Sequence, residues 1–151
     1  MVNKKRSNLF VGLLIAVFFY ILPLQAQNIS QVGHFSHVSG PLNAVDVEGD
    51  YAYVNNGPQL VVLDITDRAE PVAVSSFVVD KLIREIIVRD NKAFLSNGTG
   101  GLRIIDVSDK QNLLELPGWS DSDKFVIDLL LDANYAYLFT DSNRSELVIL
   151  D

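Results

Sequence analysis

Two tetrads carry the densest oxygen chemistry in the sequence, Asp64-Ile65-Thr66-Asp67 and Asp106-Val107-Ser108-Asp109. Carboxylates and hydroxyls at this spacing could gather a calcium ion, which takes about six to eight oxygen ligands. The same groups can instead accept hydrogen bonds from backbone N–H groups two residues on and hold a turn. Recurrence at one place in successive units favours the second chemistry, so Asp64, Asp67, Asp106 and Asp109 are read as structural turn caps. Asp141, Asn143, Ser145 and Glu146 alternate like the start of a calcium loop. The glycine and the distal bidentate Glu of an EF-hand are missing, which leaves a solvated hairpin loop.

Other candidate chemistry dissolves on the same inspection. Gly98-Thr99-Gly100-Gly101 could cradle phosphate, but no Lys-Ser/Thr pair follows and Leu102 opens an apolar run, so a glycine-rich hairpin turn is expected. His34 and His37, the two histidines, stand three apart and would face opposite sides of a strand, which is poor geometry for a shared metal. There is no cysteine, G-x-S-x-G elbow or HExxH motif. Asp46, Glu85 and Asp128 are the charged candidates on the first strand of each unit, and they do not share one repeat position. The sequence therefore assigns no catalytic residue, no metal ligand and no cofactor. Three formal glycosylation sequons, at Asn28, Asn97 and Asn143, are read as chance.

The elements that would position any site begin after an address. Lys4, Lys5 and Arg6 precede an uncharged apolar run from Leu9 to Leu24, broken by Pro23 and followed by Ala26. That order of charge, apolar core, breaker and small residue predicts a secretory signal over residues 1–26, cleaved before Gln27, and hence an exported protein. The run is short for a spanning helix, which needs about 20 apolar residues. Cleavage would remove three of the 12 Lys+Arg and none of the 19 Asp+Glu, moving the formal charge from −7 to −10 over 125 residues. Such acidity argues against nucleic acid and against anionic membrane surface as partners.

Residues 27–151 are repetitive. The stretch from Ala44 to Phe77 recurs from Glu85 to Trp119 and again from Asp128 onward. Tyr53, Phe94 and Tyr137 lie 41 and 43 apart, Asp64, Asp106 and Asp151 lie 42 and 45 apart, and Phe35, Phe77 and Trp119 lie 42 and 42 apart. Each unit holds short runs rich in Val, Ile, Leu, Tyr and Phe separated by turn residues, and none shows a sustained helical period. In the first unit the strands are expected at residues 42–47, 51–55, 60–64 and 72–77. Four strands in about 42 residues is the pattern of β-propeller blades, twisted antiparallel sheets whose two apolar faces must be covered by neighbours. Tyr53, Phe94, Tyr137, Phe77 and Trp119 are accordingly expected as repeat core, with Trp119 near the rim. Arg103, where the other units have Val61 and Val148, is expected to pack its stem and extend its head to water.

The third-strand segments Leu60-Val61-Val62-Leu63-Asp64, Leu102-Arg103-Ile104-Ile105-Asp106 and Leu147-Val148-Ile149-Leu150-Asp151 resemble the LVIVD repeat of exported bacterial β-propeller proteins. Gly49-Asp50-Tyr51-Ala52-Tyr53-Val54 and Asn134-Tyr135-Ala136-Tyr137-Leu138 are similar to that family's second strand, from which Asn91-Lys92-Ala93-Phe94-Leu95 departs. The resemblance covers about residues 32–151 and implies a propeller found in surface or adhesion-associated proteins.

The expectation is an all-β chain of about three blades, an incomplete propeller and part of a longer protein, with Val32–Phe35 resembling the strand a closing blade would take from the other end. Its expected task is non-catalytic binding or scaffolding of a protein or glycan partner outside the cytoplasm, with the remaining blades as further partners. The loops following Asp46–Asp50 and around Ser96–Gly101 are the candidate contact regions. The alternative is part of an enzyme whose site lies in the channel and is completed by other blades.

Overall fold

The structure, a computed structural model, describes residues 30–36, 39–141 and 144–151, so the expected secretory signal at 1–26, Asn28, His37 and Asn143 lie outside the described residues. Within the unit Gln31–Asp151 the described chain is all β. The first antiparallel sheet runs β1 (Val45–Glu48), β2 (Tyr51–Asn56), β3 (Gln59–Asp64) and β4 (Val72–Val78). The second repeats this order as β5 (Glu85–Arg89), β6 (Lys92–Ser96), β7 (Leu102–Asp106) and β8 (Leu114–Trp119). The third holds β9 (Phe125–Asp132), β10 (Tyr135–Asp141) and β11 (Glu146–Leu150). These are three propeller-type blades.

The first strand starts later than its apolar run suggests, at Val45 rather than Leu42. The backbone N–H groups of Asn43 and Ala44 donate to the Asn55 side chain at 2.7 and 2.9 Å, so this stretch is held by a side chain instead of a ladder.

Successive blades meet through their inner strands, β1 beside β5 and β5 beside β9, with β2 reaching β5 and β6 reaching β9. Alternation along each strand gives every sheet a near face toward the preceding blade and a far face toward the next. The first joint buries Tyr53, Leu60 and Val62 of one sheet against Ile86, Ala93, Leu95 and Ile105 of the next, with Phe77 half-buried at its margin. The second buries Leu102 against Val126, Leu129 and Leu138, with Phe94 and Trp119 half-buried against them. Third-strand residues on both faces are buried in β3 because both of its faces are covered, the far face by the next blade and the near face by Phe35 and Ile65.

Two expectations meet a different placement. Tyr137 belongs to neither joint: it sits half-buried on the far face of the third sheet, its ring 6.5 Å from that of Tyr135. Val32–Phe35 form no strand; Phe35 packs instead on Ala52, Val61 and Leu63 of the first sheet's near face. Gly33 lies so close to the Arg68 carbonyl and Ala69 that a side chain there would collide with backbone.

Candidate functional site

The turn tetrads are the simplest polar structures in the blades. Asp64 Oδ1 accepts from Thr66 N–H at 2.8 Å and Asp106 Oδ1 from Ser108 N–H at 2.8 Å. Asp67 Oδ1 accepts from Ala69 N–H at 2.9 Å, and Asp109 Oδ1 from Gln111 N–H at 2.9 Å. The side chains and N–H groups of Thr66 and Ser108 hold Asp64 and Asp106 below the usual carboxylate range; the Asn112 side chain, then Gln111 N–H, does so for Asp109. Among the described residues no group of three or more His, Asp or Glu is placed to hold a metal ion.

The two candidate contact loops lie on opposite edges of the blades. The turn at Gly49-Asp50 joins first to second strand, whereas Asn97–Gly101 joins second to third, one strand length away. The second edge is also where one blade passes to the next, and its polar residues form a repeated joint. At the end of the second strand stand Asn55 and Ser96, both fully buried and followed by Asn56-Gly57 and Asn97-Gly98; the third sheet has Phe139 at this position. Asn55 Nδ2 donates to the Ile83 carbonyl of the following blade at 3.3 Å, and Ser96 Oγ donates to the Val126 and Ile127 carbonyls at 3.5 and 3.2 Å. In parallel, Ile83 N–H donates to Gly57 O at 3.1 Å and Val126 N–H to Gly98 O at 2.9 Å. Both glycines have φ near +60°, which only a residue without Cβ adopts cheaply.

The neighbouring amides tie down each blade's own approach segment. Asn56 Oδ1 accepts from Gly40 N–H, and Asn97 Nδ2 donates to the Lys81 carbonyl, both at 2.5 Å. Asn97, one of the formal sequons, is thereby buried. This clamp was not read from the sequence, where Asn55 and Ser96 pass as strand-end or turn residues. The available signal was a strand that ends in two polar residues before glycine, Val54-Asn55-Asn56-Gly57 and Leu95-Ser96-Asn97-Gly98.

With its backbone fixed in this way, the joining edge presents Lys81, Leu82, Arg84 and Thr99 to solvent. The Arg84 guanidinium lies 4.7 Å from the centre of the Phe125 ring. The Arg103 head is partly exposed as expected, and two carboxylates hold it there: its Nη2 pairs with Asp80 at 2.9 Å and its Nη1 with Glu115 at 3.0 Å, tethering the blade-to-blade connection to β8. Lys124, on the next connection, pairs with Glu146 of β11.

The inner strands supply a second, smaller constellation. Asp46 Oδ2 accepts from Val88 N–H of the next blade at 2.6 Å, so it too serves the joint. Glu85 is raised above the usual carboxylate range, chiefly by burial and next by the charge of Asp128, with Asp46 contributing. Tertiary packing thus brings three carboxylates into one electrostatic neighbourhood, Glu85 and Asp128 from the same repeat position and Asp46 from another.

A cleft of ≈ 530 Å³ between the second and third sheets is lined by Phe94, Trp119, Tyr135, Arg89 and Lys92 among others. The corresponding space between the first and second sheets is filled by the chain itself. There Lys110 Nζ lies 5.3 and 5.8 Å from the ring centres of Tyr51 and Tyr53, and Leu113 packs into the core. The cleft is therefore a position that a third-to-fourth-strand turn fills elsewhere, and its aromatic lining is blade core.

The family comparison agrees with the repeats described above. The family described as "LVIVD repeat" matches residues 39–79 and 83–116. No curated protein matches. Among solved structures, a chain in the S. cerevisiae assembly of a Dbp5 variant bound to Nup159, a Gle1 variant, IP6 and ADP is similar at 20% identity and a TM-score of 0.38. The likeness covers 70% of this chain and 29% of that one, so the present chain spans under a third of that chain's length.

Proposed function

Since this chain belongs to the LVIVD-repeat family, we propose that it is a non-catalytic binding module that works outside the cytoplasm and engages a protein or glycan through the edge where its blades are joined. The observation that carries the reading is the clamp: buried Asn55, Ser96 and Asn97 fix the backbone of that edge, so its exposed side chains are held before a partner arrives. Preorganisation of this kind lowers the ordering cost of association. Lys81 and Arg84 beside the apolar Leu82 and Phe125 offer cationic and apolar contacts together on a chain that is acidic overall. The leader at residues 1–26 supports the extracytoplasmic setting. The test is binding of the purified chain to arrays of glycans and surface proteins, compared with Lys81→Glu/Arg84→Glu on the joining edge and Asp50→Lys on the opposite edge. A ligand lost with the first variant and kept with the second supports the reading; a ligand lost only with Asp50→Lys overturns the assignment of the edge.

A second reading, an enzyme with its site in the channel, is favoured by Glu85, whose raised pKa beside Asp128 and Asp46 suits an acid–base group. Turnover by the full chain that disappears in Glu85→Gln, with folding unchanged, would replace the binding reading.

A further inference from the structure

The joining edge carries two cations that the chain itself does not neutralise. Arg103 and Lys124 are each held by carboxylates, Arg103 by Asp80 and Glu115 and Lys124 by Glu146. Arg84 has no ion pair and no side-chain hydrogen bond among the described residues, although Asp+Glu outnumber Lys+Arg by 19 to 12. Lys81 is also without an ion pair there; its charge is felt by the adjacent Asp80, whose carboxylate is engaged by Arg103. Arg84 is held instead by an aromatic ring, its guanidinium 4.7 Å from the centre of Phe125, and that ring packs on Gly98, where a Cβ would come within 3.1 Å of it. The backbone of both cations is tied to the clamped strand end: Arg84 N–H donates to Ser96 O at 2.9 Å, and Lys81 O accepts from Asn97 Nδ2. Every residue of this site lies in or between described sheets.

A guanidinium held over a ring keeps N–H donors at its rim, and a carboxylate can accept two of them in a fork. Between the two cations Leu82 is 47% exposed, and at the tip of the neighbouring turn the exposed Thr99 donates its N–H to nothing among the described residues. Building on the reading of this edge as the binding edge, we propose that its ligand is an acidic peptide. One side-chain carboxylate pairs with Arg84, a neighbouring apolar side chain packs on Leu82, Lys81 meets a second carboxylate, and Thr99 N–H donates to a peptide carbonyl. A peptide suits these groups better than a glycan, because the Phe125 face on which a sugar ring could stack is taken by Arg84 and because Leu82 calls for an apolar side chain. The net charge of −7 opposes long-range attraction, so recognition rests on these short contacts; screening weakens the opposing field beyond about 10 Å at about 0.1 M salt.

The test titrates the full chain into fluorescent short peptides in which Glu and Leu alternate, into the same peptides with Gln for Glu, and into hyaluronate oligosaccharides, which carry carboxylates on a sugar chain. The Glu peptide should bind, and the Gln peptide, hyaluronate and the Arg84→Gln variant should each give affinity lower by about tenfold or more, the loss of a charge-assisted pair. Arg84→Lys should restore only part of the affinity, because an ammonium does not present the fork. Phe125→Leu should weaken the peptide severalfold by removing the support of the guanidinium; circular dichroism checks that each variant is folded, and Arg84→Lys carries the test if Phe125→Leu is not. Absence of peptide binding, equal binding of the Glu and Gln peptides, or hyaluronate binding as tightly as the Glu peptide overturns the acidic-peptide assignment. In those cases a ligand found on the arrays that still depends on Lys81 and Arg84 keeps the edge reading and removes only the peptide. A Glu peptide lost with Asp50→Lys and unaffected by Arg84→Gln overturns both.

Discussion

Replacing Asn55 by alanine should cost this protein about 2–4 kcal/mol, an unusually large effect for a polar residue outside any apolar cluster. The Asn55 side chain is fully buried and accepts from the backbone N–H groups of Asn43 and Ala44 while donating to Pro41 O at 2.9 Å and Ile83 O at 3.3 Å. The carbonyls keep other donors, Gly57 N–H for Pro41 and the Asn43 side chain for Ile83. The two N–H groups do not, and each stranded donor costs about 1–3 kcal/mol unless water reaches it. Asn43 is exposed enough for water to replace part of the loss, whereas Ala44 packs against the core, so the estimate lies below the full sum. Ser96→Ala removes only a donor making bonds of 3.2 and 3.5 Å and should cost about 0.5–1 kcal/mol. Urea unfolding at constant m-value separates the two. Asn55→Asp adds a diagnostic: the carboxylate keeps the acceptor and loses the donor, so its deficit should shrink on acidification, when the protonated acid can donate again. If Asn55→Ala and Ser96→Ala cost the same, or if Asn55→Ala falls below about 1 kcal/mol, the clamp does not hold the blades together.

Four further outcomes follow from the same structure. Ala133 has φ +46° at the turn position where the first blade has Gly49 at φ +62°, so Ala133→Gly should be neutral to stabilising and Gly49→Ala destabilising, each by up to about 1 kcal/mol in thermal unfolding. The Tyr53 hydroxyl is buried, has no hydrogen-bond partner among the described residues, and is pushed up to about 12 mainly by burial, so Tyr53→Phe should gain up to about 1 kcal/mol; a loss of that size would reveal a missed partner. Asp64, Asp106 and Asp109 have lowered folded pKa values, so the stability they contribute is present above the unfolded carboxylate value and is lost as pH falls through the folded one; Asp106→Asn should flatten the acid limb of a melting-temperature profile. Glu85 has the opposite sign, because its folded pKa is raised: its ionisation opposes folding as pH rises, and Glu85→Gln should stabilise the chain at neutral pH by a margin that vanishes on acidification.

Much of the blade framework was legible because it is repetitive. Phe77 and Trp119 recur at 42 residues, and both pack half-buried beside inter-sheet cores. The tetrads at Asp64 and Asp106 announce turns through local chemistry, since a carboxylate and the N–H two residues on find one another without help from the rest of the fold. The site was less legible. Asn55 and Ser96 act on carbonyls 28 and 30 residues away, and nothing local distinguishes them from ordinary turn residues. Tyr137 shows the converse failure: it shares its repeat position with buried Tyr53 and half-buried Phe94, yet its surroundings depend on whether another sheet lies over it.

The sequence by itself determined the unit, its strands, its turns and its family, because each rests on contacts within about 42 residues that the repeat states more than once. Only the tertiary structure decided which edge is clamped and where the carboxylates of Asp46, Glu85 and Asp128 converge. Those properties belong to the spaces between sheets, where side chains distant in sequence meet and where burial, the quantity that sets both hydrogen-bond cost and carboxylate pKa, is first defined.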